Sequence, residues 1–418
     1  MLGGNVTANE WKRFQHYAGL VHICVHDYDP MIDPSVYLQL SLRNDHKPLL
    51  PNLRYLKWQQ RSCTSTELLH IIGPSLRRLD FDFASSSWSA GRARRREYAL
   101  KVLLDNACSR APNVEELYLE GVHHPDTLAA IQGWKQLRHL SQDSVVEFAA
   151  LEILSNTESV TSMWMDIAHL REVNEKNCIG FMNLETLSVE GNLRSLAWFF
   201  SATHLSRLQH LSVFLDEDWN GNDRFLDIDT YRRRLENLQI HVKYPKLKSF
   251  KLRVTYRGEA IPTALDYIQP LYALKDLEAL DVDFGGQAHL SDSNLEELAR
   301  RFPKLRSLKL DHVFTDVEPS IRVLDILARG FPFLEEVVLP SVCHMGLIPD
   351  PPCTTPHFRL RRMIFFRAMI SDRARFSKYM RRVFPNVVPA LPSLFYRRPC
   401  EDWCLIVDSF RPVHAPLI

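Results

Sequence analysis

Apolar positions along this chain recur in one phrase, apolar-x-x-apolar-x-apolar, often led by a proline. PNLRYLKW starts at Pro51, PSLRRLDF at Pro74, PNVEELYL at Pro112 and MNLETLSV at Met182. HLSRLQHLSV at His204, YPKLKSFKLRV at Tyr244, LKDLEALDV at Leu274, FPKLRSLKL at Phe302, FPFLEEVVL at Phe331 and HFRLRRMIF at His357 continue the series. The first apolar positions are Leu53, Leu76, Val114, Leu137, Val160, Leu184, Leu208, Leu247, Leu277, Leu305, Leu334 and Leu360. They are spaced by 23–24 or 26–30 residues, apart from two gaps of 38 and 39. A near-constant period of this length marks a stacked repeat architecture. The two long gaps read as one repeat plus an insertion, near residues 84–97 and 216–233.

Within each phrase the last two apolar residues alternate with polar ones, which predicts a short strand with one buried face. Strands are expected near 22–25, 55–58, 78–83, 116–119, 186–189, 210–214, 249–254, 279–283, 307–310 and 336–339. Upstream of most strands lies a helical pattern that stops at a proline, as in VLLDNACSRAP, NLEELARRFP and VLDILARGFP. Helix starts are marked by pairs with capping-box spacing: Thr7 with Glu10, Thr64 with Glu67, Ser144 with Glu147, and Ser293 with Glu296. One helix–strand unit cannot bury its apolar face alone, so neighbours must stack. Ordinary βα units in an open doubly wound sheet would not repeat one phrase ten times.

The helix–Pro–LxxLxL phrase, in segments such as LPNLRYLKW and LEELARRFPKLRSLKL, resembles the leucine-rich-repeat part of fungal F-box proteins over residues 8–390. The resemblance implies an α/β leucine-rich-repeat solenoid, with a curved parallel sheet on the concave side and helices on the convex side. Residues 1–49 are expected to hold a capping helix and a first degenerate repeat, 50–392 the solenoid, and 393–418 a C-terminal cap or tail. The resemblance also implies a non-enzymatic protein–protein interaction scaffold, the substrate-recognition part of an SCF-type ubiquitin ligase. An F-box needs about 45 helical residues before the repeats. Here the helix opened by Thr7 runs straight into LVHICV. The expectation is that this helix, through Trp11, Phe14 and Tyr17, caps the sheet edge, and that adaptor binding is not carried over.

Composition narrows the function classes. The 418 residues hold 51 lysines plus arginines against 50 aspartates plus glutamates, a balance that disfavours a dedicated nucleic-acid or membrane-surface protein. There is no run of 18 apolar residues. Eight scattered cysteines without a CxxC pair fit reduced thiols, hence a cytoplasmic or nuclear protein. No glycine-rich nucleotide loop, HExxH or GxSxG is present, and no acids or histidines form a spaced set with a nucleophile, so no enzyme and no cofactor is expected. His22, Cys24 and His26 alternate on one strand, about 7 Å apart at i, i+2, too far to share one metal ion. Cys343, Cys353 and His357 are too loosely spaced for a zinc site.

The partner site is expected on the concave face, at positions between the buried ones. From Tyr55 to Glu190 these positions include seven acids and two bases, with Tyr118 and Trp164 among them. Asp80, Asp82, Glu116, Tyr118, Glu120, Asp143, Trp164 and Glu190 are therefore the candidate partner-binding residues, suited to a basic segment of another protein. The bland reading makes the acids a solvated face and Trp164 core. A second functional reading uses residues 359–398, where eleven basic residues face one acid, Asp372, with Phe365, Phe366, Phe376 and Tyr379 interleaved. Basic plus aromatic suits RNA or another polyanion. Arg92, Arg94, Arg95 and Arg96 in the first insertion read as a solvated loop or a nuclear-import patch.

Overall fold

A computed structural model describes residues 6–26, 32–60, 62, 65–83, 93–122, 124–143, 146–168, 170, 179–215, 228–238, 240, 244, 246–254, 261–313, 317–344, 348, 355–391 and 401–410. The cores of both insertions (84–92 and 216–227), the cap residues Thr64 and Ser144, and the cysteines 63, 178, 353 and 400 lie outside them. So does most of the 393–418 tail.

The chain divides into two compact units, 1–191 with 198–207, and 192–197 with 208–418. In the first unit lie β1 (Ile23–His26), β2 (Tyr55–Gln59), β3 (Arg78–Asp82), β4 (Glu116–Glu120), β5 (His139–Asp143), β6 (Ser162–Asp166), β7 (Ile179–Gly180), β8 (Thr186–Gly191) and β9 (Thr203–His204). In the second lie β10 (His210–Leu215), β11 (Ser249–Val254), β12 (Ala279–Gln287), β13 (Ser307–Val313), β14 (Glu336–His344), β15 (Arg362–Ile370) and β16 (Val388–Pro389). Among the described residues fourteen of these strands follow one another in chain order in a single sheet, while β7 and β9 form a small separate pair. Parallel neighbours in strict sequence order, most of them reached through a helix among the described residues, make an α/β leucine-rich-repeat solenoid fold.

Register explains why the phrase repeats. Leu56, Leu79, Leu117, Leu140, Met163 and Leu187 are successive partners on β2 to β6 and β8, and each is at most 2% exposed. Phe250, Leu280, Leu308, Val337 and Met363 form the corresponding line in the second unit. A polar break in the neighbouring buried row is Gln142, which occupies an apolar site; its side chain stays buried by donating to the Val122 carbonyl.

Three helices, Asp292–Arg301, Arg322–Gly330 and Arg373–Val383, end on a Phe-Pro step. Phe302, Phe331 and Phe384 leave the helix with φ of −122°, −123° and −128°, the extended geometry a following proline imposes, and their rings enter the core. A hydrogen-bond ladder joins repeats just ahead of the strands. Asn52 Nδ2 donates to Gly19 O (2.7 Å), Ser75 Oγ to Pro51 O (2.6 Å), Asn113 Nδ2 to Pro74 O (2.9 Å) and Asn183 Nδ2 to Glu158 O (2.8 Å). Within the second unit, Asn386 Nδ2 donates to Phe358 O (2.8 Å). Each of the first four donors immediately precedes the first apolar residue of its phrase, and Asn386 precedes Val387.

Two sequence expectations, both about helix caps, are corrected. The helix Asp292–Arg301 is capped by Ser291 and Asn294, not Ser293 and Glu296, because the Ser291 hydroxyl accepts from Asn294 N while Asn294 Oδ1 accepts from Ser291 N. Glu147 is the N-cap of Phe148–Ser155 rather than its third residue. The helix Ala8–Ala18, whose Thr7–Glu10 capping box does form, buries only Ala18. Trp11 stacks on Phe14 at 5.1 Å with Arg43 over the Trp11 ring, and Tyr17 stays 55% exposed, so the stripe packs largely on itself and on the neighbouring helix Ser35–Arg43.

Candidate functional site

On the open face of the first unit, strand register sorts the outward side chains into three rows. The first holds Tyr55, Arg78, Glu116, His139, Ser162 and Thr186; the second holds Lys57, Asp80, Tyr118, Ser141, Trp164 and Ser188. The third runs Gln59, Asp82, Glu120, Asp143 and is continued by Asp166 and Glu190, which pair with each other. Neighbouring strands lie about 4.8 Å apart, so each row is a line of side chains crossing the strands.

Arg78 neutralises one end of this face. Its guanidinium lies 4.3 Å from the Tyr118 ring centroid and 4.9 Å from that of Tyr55, binds Asp80 through Nε (3.0 Å) and Nη2 (3.1 Å), and reaches Glu116 at 3.5 Å. The hydrogen bonds to Asp80 push the Arg78 pKa up. Tyr55 donates to Asp80 Oδ2 at 2.8 Å, and burial followed by that bond raises the Tyr55 hydroxyl pKa. Asp80, Glu116 and Tyr118 therefore already have an intramolecular cation.

Beyond Arg78, Asp82, Glu120 and Asp143 form no ion pair among the described residues. A cavity of about 510 Å³ opens on Asp82, Tyr118, Glu120, Asp143 and Trp164, with Lys57, Asp80, His139, Ser141, Ser162 and Ser188 completing its polar lining. Gln59 Nε2 donates to Asp82 Oδ2 at 3.1 Å, while Asp82 Oδ1 is buried and accepts no hydrogen bond among the described residues. Burial raises the Glu120 pKa, Asp82 and Asp143 on either side raise it further, and Lys57 opposes them. Gly121, at φ +75°, makes the turn that ends β4; a Cβ there would stand 2.2 Å from the Phe83 carbonyl oxygen, so the turn following Glu120 admits only glycine. Trp164 is half-buried and faces the open side rather than the core.

Of the eight candidate residues, six line this cavity: Asp80, Asp82, Tyr118, Glu120, Asp143 and Trp164. Glu116 and Glu190 do not line it. Lys57, one of the two bases of that stretch, His139 and the serines around Trp164 share the alternation but are neither the acids nor the aromatics that marked the candidate site. The open face of the second unit differs. Lys251 pairs with Asp281 (3.4 Å), Arg253 with Asp283 (3.2 Å), and Lys309 and Arg362 with Glu336 (2.8 and 3.0 Å). Alternating charge on adjacent strands leaves that face internally matched.

The basic stretch 359–398 does not form the expected stacking surface. Phe365, Phe366, Phe376 and Tyr379 are at most 8% exposed and belong to the core. Ile364 and Phe366, outward by alternation, are buried because β15 is covered on both faces. Arg373 binds Asp402 at 2.8 Å, Arg375 binds Asp372 at 3.3 Å, Arg362 binds Glu336, and Arg381 lies over Phe410. Arg398 lies outside the described residues.

Among the described residues no three histidines, cysteines or acids are placed to hold a metal ion. His26 instead stacks on Trp58 at 3.9 Å, and His357 accepts from Leu360 N and bonds the Phe331 carbonyl. No described helix is long and apolar enough to cross a membrane.

No protein-family model matches the chain, and no curated protein matches it. Among solved structures it is similar to an internalin from Listeria monocytogenes, at 14% identity over 88% of each chain with a TM-score of 0.36. It is also similar to a protein from Bacteroides fragilis, at 10% identity over 76% of each chain with a TM-score of 0.34. A third similarity is to a chain of the Rad7 and Elc1 complex in yeast, at 15% identity over 77% of this chain and 87% of that one with a TM-score of 0.26.

Proposed function

We propose that the chain is a non-enzymatic protein-interaction scaffold whose open face at Asp82, Glu120, Asp143 and Trp164 binds a basic segment of a partner protein. The observation that carries this reading is the cavity in which Asp82, Glu120 and Asp143, which form no ion pair among the described residues, outnumber the one lysine, Lys57, and stand beside Trp164. Acids on such a face speed encounter with a basic segment, and an aromatic anchor slows its release. The resemblance to F-box repeats would make that partner a ubiquitination substrate.

Affinity capture from lysate, quantified by mass spectrometry, tests this with two variants run beside wild type. Asp82→Asn with Glu120→Gln and Asp143→Asn should lose a basic partner. Gln at Arg373, Arg375, Arg381 and Arg382 should keep it. The reverse result, with loss only on neutralising those arginines, would move binding to the basic end and favour a polyanion.

A further inference from the structure

We infer that this face reads an extended partner segment carrying basic residues at alternate positions, an inference that rests on the basic-segment reading above. Asp82, Glu120 and Asp143 are direct register partners on three adjacent strands. Asp166 takes the next place, since it follows Met165, the partner of Gln142, just as Asp143 follows Gln142. Three strand steps of about 4.8 Å make this row of four carboxylates about 14 Å long. An extended chain presents alternate side chains on one face about 6.6 Å apart, so those at i, i+2 and i+4 span about 13 Å. The two lengths match, and each cation at those positions meets one or two carboxylates.

Trp164 lies one row back from the acids, between Ser141 and Ser188. Its ring suits the apolar stem of a lysine or arginine whose charged head reaches the acidic row.

The test uses the full chain and three fluorescently labelled seven-residue peptides read by anisotropy. One carries three arginines at alternate positions separated by serine, one carries the same residues with the arginines contiguous, and one has glutamate for arginine. The alternating peptide should bind about fivefold or more tighter than the contiguous one, and the glutamate peptide should not bind. Glu120→Gln or Asp143→Asn should weaken the alternating peptide by about three- to tenfold and shrink the difference between the two arginine peptides. Lys309→Gln, on the second unit, should leave both unchanged. Thermal midpoints of all variants establish that they fold. If both arginine peptides bind equally and both weaken in Glu120→Gln, the alternate spacing is overturned while the basic-segment reading stands. If neither binds, or if binding ignores Glu120 and Asp143, both fall.

Discussion

Tyr118 shows how a residue can keep its place and change its meaning. Alternation alone marks it as an exposed aromatic anchor, but Arg78 covers its ring and is itself fixed by Asp80. The aromatic left for a partner is Trp164. Once a partner is in hand, Trp164→Ala should speed its dissociation by about tenfold or more, the loss of a hot-spot contact. Tyr118→Ala should act mainly on the stability of the Arg78 cluster, read as a lowered thermal midpoint. Glu120 gives a pH signature. Its folded pKa is raised by burial and by Asp82 and Asp143, so ionising it opposes folding. The stability tied to its protonated form is fully present below the ordinary glutamate value and lost as pH rises through the raised one. Glu120→Gln should therefore raise the thermal midpoint above that window and leave it unchanged below. Binding of a basic segment needs the carboxylate, and should strengthen as pH rises through the same window.

At the level of elements, strand positions were legible because alternation and the proline-led phrase coincide in each repeat. All ten expected strands start within a residue of the observed ones, and the later ones, such as β12 and β14, run further because they hold extended geometry beyond the phrase. Caps were less legible. SDSN offers two serines, and only tertiary placement decides that Ser291, with Asn294 answering it, is the N-cap. The inter-repeat amide ladder left a trace as the Pro-Asn or Pro-Ser step before several phrases, which reads locally as turn chemistry until the neighbouring carbonyl is in view. The clasp between Arg322–Gly330 and Arg373–Val383 had no sequence trace. Tyr379 donates to Asp325 at 2.7 Å, both side chains buried and 54 residues apart. Tyr379→Phe removes that donor from a buried carboxylate and should cost about 1–3 kcal/mol in denaturant unfolding, with packing otherwise kept.

For the molecule as a whole, charge was readable in total and not in arrangement. A near-zero balance says nothing about whether a face is matched strand by strand, as at Lys251–Asp281 and Lys309–Glu336, or left acidic, as at Asp82, Glu120 and Asp143. Only the register, which sets which residues stand side by side across strands, separates the two cases. The same nearest-neighbour logic governs stability. Leu308 is fully buried between its register partners Leu280 and Val337, so Leu308→Ala should cost about 2–5 kcal/mol, the transfer loss plus an unfilled cavity. In a stack whose repeats support only their neighbours, that loss is local before it is global. Amide hydrogen exchange should accelerate first in β12, β13 and β14, while β3, β4 and β5 keep their protection until the denaturant approaches the main transition. Uniform acceleration across both sets of strands would mean that the chain unfolds as one cooperative block, and that the repeat unit is not its unit of stability.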